Sequence, residues 1–303
     1  MVIDRILIAC CRKDFYLTRI CVASIRFWNK TIPIDLLKDL SAGSFDTTEM
    51  ERVFSVGIAS LPFSAMGAYS KLFPFVSKKK ERVLILDSDI VMLGDIIPVL
   101  EKYEEDILVH TYIPDDMIAE MNRWYFRYDK NNPLFQEYIY PGFLFNSGQM
   151  VINTGIFPLE VVRRVIDWNE QTAAKEKDVF VCADQDIVNY VFAGLLHQKK
   201  LTFAHVHLYE WGWTYEQQKY TVDRIKSKEQ DPLLLHWYGK KNGLLFAIRQ
   251  NELLYHFEHI YFSQLEHGIY KLYKERFTRT LRHFNVFLYE LGKAVFYKVI
   301  KRS

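Results

Sequence analysis

Two carboxylates one residue apart, Asp87 and Asp89, follow directly on the run Arg82–Val83–Leu84–Ile85–Leu86. In an extended chain side chains alternate with period two, so the pair faces one way at the carboxyl end of a strand, where open α/β sheets gather their ligands. Two hard oxygen donors converging there suit Mn²⁺ or Mg²⁺ bridging to a diphosphate. A strand-end turn with Asp at its tip meets the same pattern without a metal. Other candidates are spread downstream: Asn146–Ser147–Gly148, Asp184–Gln185–Asp186, and His236 followed by Gly239, Lys240 and Lys241. Taken singly, they read equally as a tight turn, a helix cap and a hydrogen-bonded core histidine.

The elements that must position these groups follow from hydrophobic periodicity. Short apolar runs at Arg5–Ala9, Val53–Ile58, Val83–Leu86, Ile107–His110, Met150–Asn153, Leu201–Ala204 and Leu233–His236 predict strands. Between them, Tyr16–Trp28, Met66–Val76, Leu159–Gln171 and Asp184–Phe192 have helical spacing. The alternation predicts an α/β sheet covered on both faces. Neither GxGxxG after the first strand nor GxxxxGK[ST] occurs, so a bound nucleotide must be held by other means.

Composition narrows the function classes. With 50% hydrophobic and 25% charged residues in 303, the chain has the proportions of a globular protein and excludes disorder. The net charge of +2 hides an asymmetry, because residues 271–303 carry nine Lys/Arg against two Glu while the rest holds 30 bases against 35 acids. An acidic body argues against nucleic acid as a partner. Cys10, Cys11, Cys21 and Cys182 lack the CxxC spacing of zinc or redox sites and read as reduced core thiols. The opening MVIDRILIACCRKD has no long apolar region and no small-residue cleavage site, and the expectation is a cytoplasmic protein.

The segments Val83–Ile96 (VLILDSDIVMLGDI), Phe145–Asn153, Ala183–Asn189 and Leu235–Lys241 resemble, in order and approximate spacing, the motifs of retaining glycosyltransferase family 8. This is the group of glycogenin and of bacterial lipopolysaccharide galactosyl- and glucosyltransferases. The resemblance implies an α/β, GT-A (Rossmann-like, nucleotide-sugar-binding) mixed sheet flanked by helices over residues 1–245, with a helical C-terminal appendage over 246–303. It implies a metal-dependent retaining glycosyltransferase that moves a hexose from a nucleotide sugar, UDP-glucose or UDP-galactose, to a saccharide, glycolipid or protein acceptor. Asp87, Asp89 and His236 match the family's metal ligands. Gly239 with Lys240 or Lys241 matches the phosphate clamp, the family's usual Lys-Pro-Trp being replaced here by Lys240–Lys241–Asn242–Gly243–Leu244. Lys71 matches the basic position near the donor. Asn146, Ser147 and Gly148 match the sugar pocket, and Asp184 and Gln185 the reacting face. Tyr16, with Asp14 nearby, is the candidate for stacking on the base.

Two alternatives stay open from the residues alone. The run ending in Asp87–Ser88–Asp89 also resembles the first motif of haloacid-dehalogenase-type phosphatases, in which Asp87 would be the nucleophile and Asp115–Asp116 the acidic pair. A non-catalytic binding relic of the same fold is the other. On the acceptor side, Trp124 and Tyr125 beside Arg123 and Asn122 form a candidate sugar platform. His205 and His207 would share a face of one strand spanning Thr202–Leu208, but nothing nearby completes a metal set. In the tail, Phe284, Phe287, Leu288, Leu291, Val295 and Val299 make a helical stripe flanked by bases. That pattern fits a helix lying on an anionic membrane surface, at the inner face of a membrane, and equally one docked on the body.

Overall fold

Seven strands form the central sheet of the computed structural model, which describes residues 1–61, 67–167, 173–212, 219–237, 239 and 244–300, excepting the side chains at 67–68, 173, 287, 290–292 and 294–300. The strands in chain order are β1 (Arg5–Cys11), β2 (Ile34–Asp39), β3 (Val56–Ile58), β4 (Arg82–Asp87), β5 (Ile90–Met92), β6 (Ile107–Val109), β7 (Thr111–Tyr112), β8 (Leu144–Phe145), β9 (Gln149–Asn153), β10 (Ile166–Asp167), β11 (Ala173–Ala174), β12 (Phe203–His205), β13 (Tyr209–Trp211) and β14 (Leu234–His236). The helices are α1 (Phe15–Trp28), α2 (Thr48–Phe54), α3 (Phe73–Val76), α4 (Ile97–Leu100), α5 (Met117–Trp124), α6 (Leu159–Val165), α7 (Asp184–His197), α8 (Val222–Lys226), α9 (Glu252–Ser263) and α10 (Gly268–Ile300).

The central sheet has the order β12-β6-β9-β4-β1-β2-β3. All neighbours are parallel except β9, which runs antiparallel to both β4 and β6. Alternation along the strands splits the core in two. Ile6, Ile8, Leu84 and Leu86 face the layer of α1 and α9, whereas Leu7, Val83 and Ile85 face the layer of α6 and α7. Each such side chain contributes roughly 1.5–3 kcal/mol on burial, which is why nearly continuous apolar runs were needed in β1 and β4.

The sequence reading and the structure diverge at particular places. Val53 and Phe54 complete α2 rather than opening a strand, and only Val56–Ile58 joins the sheet. The helix expected over Met66–Val76 is a 3₁₀ turn over Gly67–Leu72 followed by α3, with Pro74 in its first turn. The segment Leu159–Gln171 leaves the helix after Val165 to form β10. Thr202–Leu208 is not one strand: β12 ends at His205, and β13 begins at Tyr209 in a separate three-stranded sheet, β13-β14-β5.

The chain ends in α9 and α10, held to the body through buried charge. Glu258 of α9 is 2% exposed. Its carboxylate accepts from Arg276 at 2.7 Å and also from Arg279, whose guanidinium lies over the Tyr16 ring at 4.8 Å. Removing Glu258 strands the buried Arg279 without its anion, while the partly exposed Arg276 keeps access to solvent. Glu258→Ala is therefore expected to cost about 3 kcal/mol, read as a lower urea midpoint at unchanged slope.

Candidate active site

Four segments distant in sequence meet at one edge of the central sheet because of strand pairing. Strand β4 delivers Asp87 at its carboxyl end. Because β9 is antiparallel to β4, with Leu86 opposite Gln149, the Asn146–Gly148 turn before β9 lies at that same edge, and the Asp87 N–H donates to the Gly148 carbonyl at 2.7 Å. Strand β14 pairs antiparallel with β5, placing His236 opposite Ile90, and the Trp237 N–H donates to the Asp89 carbonyl at 3.0 Å. The first turn of α7 brings Asp184 and Gln185 to the same edge. These groups line one cavity of about 760 Å³.

Asp87, Asp89 and His236 each offer a ligand atom within 4.8 Å of the others. His236 Nε2 lies 3.3 Å from Asp89 Oδ1 and 4.0 Å from Asp87 Oδ2. His236 Nδ1 is buried without a hydrogen-bond partner among the described residues. Beside the triad, Lys71 Nζ contacts Asp87 Oδ1 at 2.8 Å and Asp184 Oδ2 at 2.7 Å, and donates to the Ser147 carbonyl at 3.2 Å. Burial works against the ammonium, but Asp184 and Asp87 outweigh it and hold Lys71 charged. Burial and the neighbouring Asp87 push the Asp184 carboxyl above its ordinary range, with Lys71 opposing. Among the described residues three carboxylates thus share a mostly buried space with one ammonium, a deficit that a divalent cation at the triad would fill. The donor set of two carboxylates and an imidazole fits Mn²⁺.

Gly148 is the close approach on which the cluster depends. A Cβ there would lie 2.6 Å from His236 Cε1, 2.7 Å from Asn146 Oδ1 and 2.9 Å from Asp87 Oδ2. Gly239, also on the cavity wall, has φ +103°, the left-handed region that favours glycine.

Gln185 is held at both ends of its amide. Its Oε1 accepts from Asn146 Nδ2 at 2.8 Å and from the Ser147 N–H at 3.3 Å, and its Nε2 donates to the Trp124 carbonyl at 2.7 Å. Ser147 Oγ donates to Asp184 Oδ2 at 2.7 Å. The residue before this pair, Ala183, has φ 59° and ψ −115°, a strained conformation of about 1–3 kcal/mol for a residue with a Cβ. Asp186 secures that turn by accepting the Cys182 N–H at 2.6 Å.

Of the residues singled out in the sequence, the cavity collects Lys71, Asp87, Asp89, Asn146, Ser147, Asp184, Gln185, His236 and Gly239, with Trp124 and Tyr125 on its wall. Gly148 meets it through the contacts above. Tyr16 does not line it: α1 turns that ring inward, where it is 7% exposed beneath Arg279. Asp14 is consumed locally, accepting the Cys11 N–H at 2.8 Å. Lys240 and Lys241 lie outside the described residues. The acidic pair needed by the phosphatase alternative is elsewhere in role, since Asp116 caps α5 by accepting the Ala119 N–H at 3.0 Å. His205 accepts the Thr111 N–H at 3.1 Å and packs, like His207, against His110. The sequence reading did not single out His110, Tyr209, Glu210 and Trp211, which also line the cavity. Burial, with His207 and His205 adding, pushes the His110 imidazole down to about 4, so it is neutral near pH 7. The alternation of Tyr209 and Trp211 on one face of a strand was the available signal, hidden by a strand boundary placed too early.

The sequence model of glycosyl transferase family 8 matches residues 62–242, more than half of the chain and the span that contains every group of this cluster. The chain belongs to glycosyl transferase family 8. No curated protein matches it by sequence. Among solved structures, apo GlyE of Streptococcus pneumoniae TIGR4, a glycosyltransferase, superposes with a TM-score of 0.51 at 16% identity over 92% of this chain and 64% of that one. A second GlyE structure gives 0.50 at 16% identity over 84% and 60%. The galactosyltransferase LgtC in complex with donor and acceptor sugar analogs gives 0.49 at 17% identity over 84% and 95%. The family 8 chain thus spans about three fifths of the length of GlyE. At this identity the likeness is one of fold, the mixed, mostly parallel GT-A sheet flanked by helices.

Two outcomes follow from this geometry. Gly148→Ala is expected to weaken Mn²⁺ binding about tenfold, as overpacking of 1–3 kcal/mol displaces the triad; isothermal titration of the metal reads it. Burial pushes the Asp186 carboxyl up to about 8 from the ordinary 3.8. The folded chain therefore keeps a proton that the unfolded chain releases, and the stability this confers is full below about pH 4 and lost as pH rises through about 8. Asp186→Asn should flatten the fall of the urea midpoint across that window.

Proposed function

We propose that this protein is a metal-dependent glycosyltransferase that moves a hexose from a nucleotide sugar, UDP-linked by family habit, to a saccharide, glycolipid or protein acceptor with retention of anomeric configuration. The observation that carries the reading is the meeting of Asp87, Asp89 and His236 with Lys71, Asp184 and Gln185 in one cavity. When bound by the triad, Mn²⁺ would act as a Lewis acid toward the charge developing on the departing diphosphate.

The chain's own residues divide the remaining work. Lys71 sets a fixed cation between the phosphate end and the sugar end, preorganised by Asp87 and Asp184 rather than recruited from solvent. Asn146, Ser147 and Gly239, which line the same cavity, supply polar contacts for the donor. Asp184 presents a carboxylate for sugar hydroxyls. Gln185, which by the family resemblance would face the anomeric carbon, bears an amide, a poor nucleophile, and both ends of that amide are already bonded. Retention then proceeds on the front face, the acceptor hydroxyl giving its proton to the leaving phosphate. Trp124 and Tyr125 form the apolar side of the acceptor subsite.

The test is a panel of nucleotide sugars with the full-length protein, with and without Mn²⁺. Donor binding and slow donor hydrolysis that require the metal are expected, and Asp87→Asn, Asp89→Asn or His236→Ala should lower turnover by about a hundredfold or more. An aspartyl-phosphate trapped on Asp87 would overturn the reading in favour of a phosphatase. Donor binding without transfer or hydrolysis would reduce the protein to a relic of the fold.

A further inference from the structure

An imidazole that ligates a metal ordinarily donates its second ring N–H to an oxygen, which fixes both the tautomer and the orientation of the ring. His236 lacks that bond. Its Nε2 faces Asp89 Oδ1 at 3.3 Å, while Nδ1, in a residue only 2% exposed, meets no hydrogen-bond partner among the described residues. The register of the small sheet shows what holds the ring instead. Strand β14 is the middle strand of β13-β14-β5, with Trp211 beside His236 on one flank and Ile90 beside it on the other. Residues in register project to the same face, so the three side chains form one row. The Trp211 ring lies 5.1 Å from the imidazole, centroid to centroid, with 33° between the planes. Tyr209, two residues back on β13 and therefore on that face, meets Trp211 edge-on at 4.9 Å and His236 at 6.0 Å. Gly148 borders the Cε1 edge, too near to admit a Cβ.

We infer that Trp211 is a positioning residue for His236, its indole taking the orienting part that a hydrogen bond at Nδ1 takes in other metal sites. Ring pairs at this separation attract beyond the area they bury, and the attraction depends on the angle between the rings. Ile90, 1% exposed, blocks the opposite flank, and the edge of Tyr209 resists rotation of the indole. The imidazole is thus confined by packing on several sides, with Nε2 aimed at Asp87 and Asp89. Trp211 is half-buried and lines the cavity, but this role is exercised through His236 and not on a substrate. The inference rests on the reading of Asp87, Asp89 and His236 as a metal site and does not depend on the sugar or the acceptor.

Isothermal titration of the full-length protein with Mn²⁺ alone tests it, with metal-free unfolding temperatures to confirm that each variant folds. Trp211→Ala is expected to weaken Mn²⁺ binding about tenfold. Trp211→Phe keeps an aromatic face beside the imidazole and should stay within a few-fold of the wild type. Trp211→Leu fills the space without such a face and should lose affinity as the alanine variant does; it carries the test if Trp211→Ala does not fold. A role confined to packing would lower the metal-free unfolding temperature and leave the affinity unchanged, and that result overturns the proposal. An equal loss in the phenylalanine and leucine variants overturns it as well. Wild-type protein that binds no Mn²⁺ would overturn the metal reading together with this inference, whereas wild-type affinity in Trp211→Ala overturns the inference alone.

Discussion

The Lys71 ammonium, shared between Asp87 and Asp184, is the interaction on which the rest of the site depends. Without it, three carboxylates would occupy a mostly buried space with no fixed cation among the described residues, and their repulsion would go unopposed. With it, one oxygen of Asp87 is occupied and the other is left facing His236. The carboxylate is thereby divided between a permanent partner and a position open to a metal. The remaining negative charge suits the proposed divalent cation, because a site that balanced its own charges would have little affinity for one.

Backbone pairing accounts for why such distant residues can be held so closely. The antiparallel β9 is essential: a parallel strand in that place would put its preceding turn at the opposite edge, some five residues of strand away from Asp87. In the small sheet, β5 starts immediately after the Asp87–Ser88–Asp89 turn, so the partner of Ile90 is necessarily beside the carboxylates. His236 is that partner. The ladder also explains the glycine at 148, since two strands and an imidazole converge there and no volume remains for a methyl group.

The sheet strands and the cluster of Asp87, Asp89 and His236 were legible in the sequence for different reasons. Arg82–Leu86 declares itself locally, as a continuous apolar run ending in carboxylates, and the structure places β4 there. His236 does not declare itself at all: nothing within ten residues distinguishes it from a core histidine, and only the order of four motifs marked it. Tyr16 shows the limit of position along the chain. It sits in the right place in sequence, yet α1 needs it for the apolar face covered by α10, a tertiary demand that no local pattern expresses. The β12–β13 boundary was missed because Thr202–Leu208 is extended-looking throughout, while the two strands belong to different sheets. Isolated β-pattern records extension and says little about pairing partners.

Gln185 joins the two halves of the cavity. Its carbonyl oxygen answers the Asn146–Ser147 turn, which is tied through Ser147 to Asp184 and Lys71, and its amide nitrogen answers the backbone of Trp124, at the end of α5. Glutamate in this position would keep the first set of bonds and turn a donor into an acceptor against the Trp124 carbonyl, leaving a charge facing a lone pair. An amide satisfies both sides at once, whereas a carboxylate cannot. The residue type at 185 is thus selected by the structural need to bridge donor side and acceptor wall. That same choice removes the side chain as a nucleophile, so the architecture of the joint and the front-face course of the proposed reaction have one physical origin.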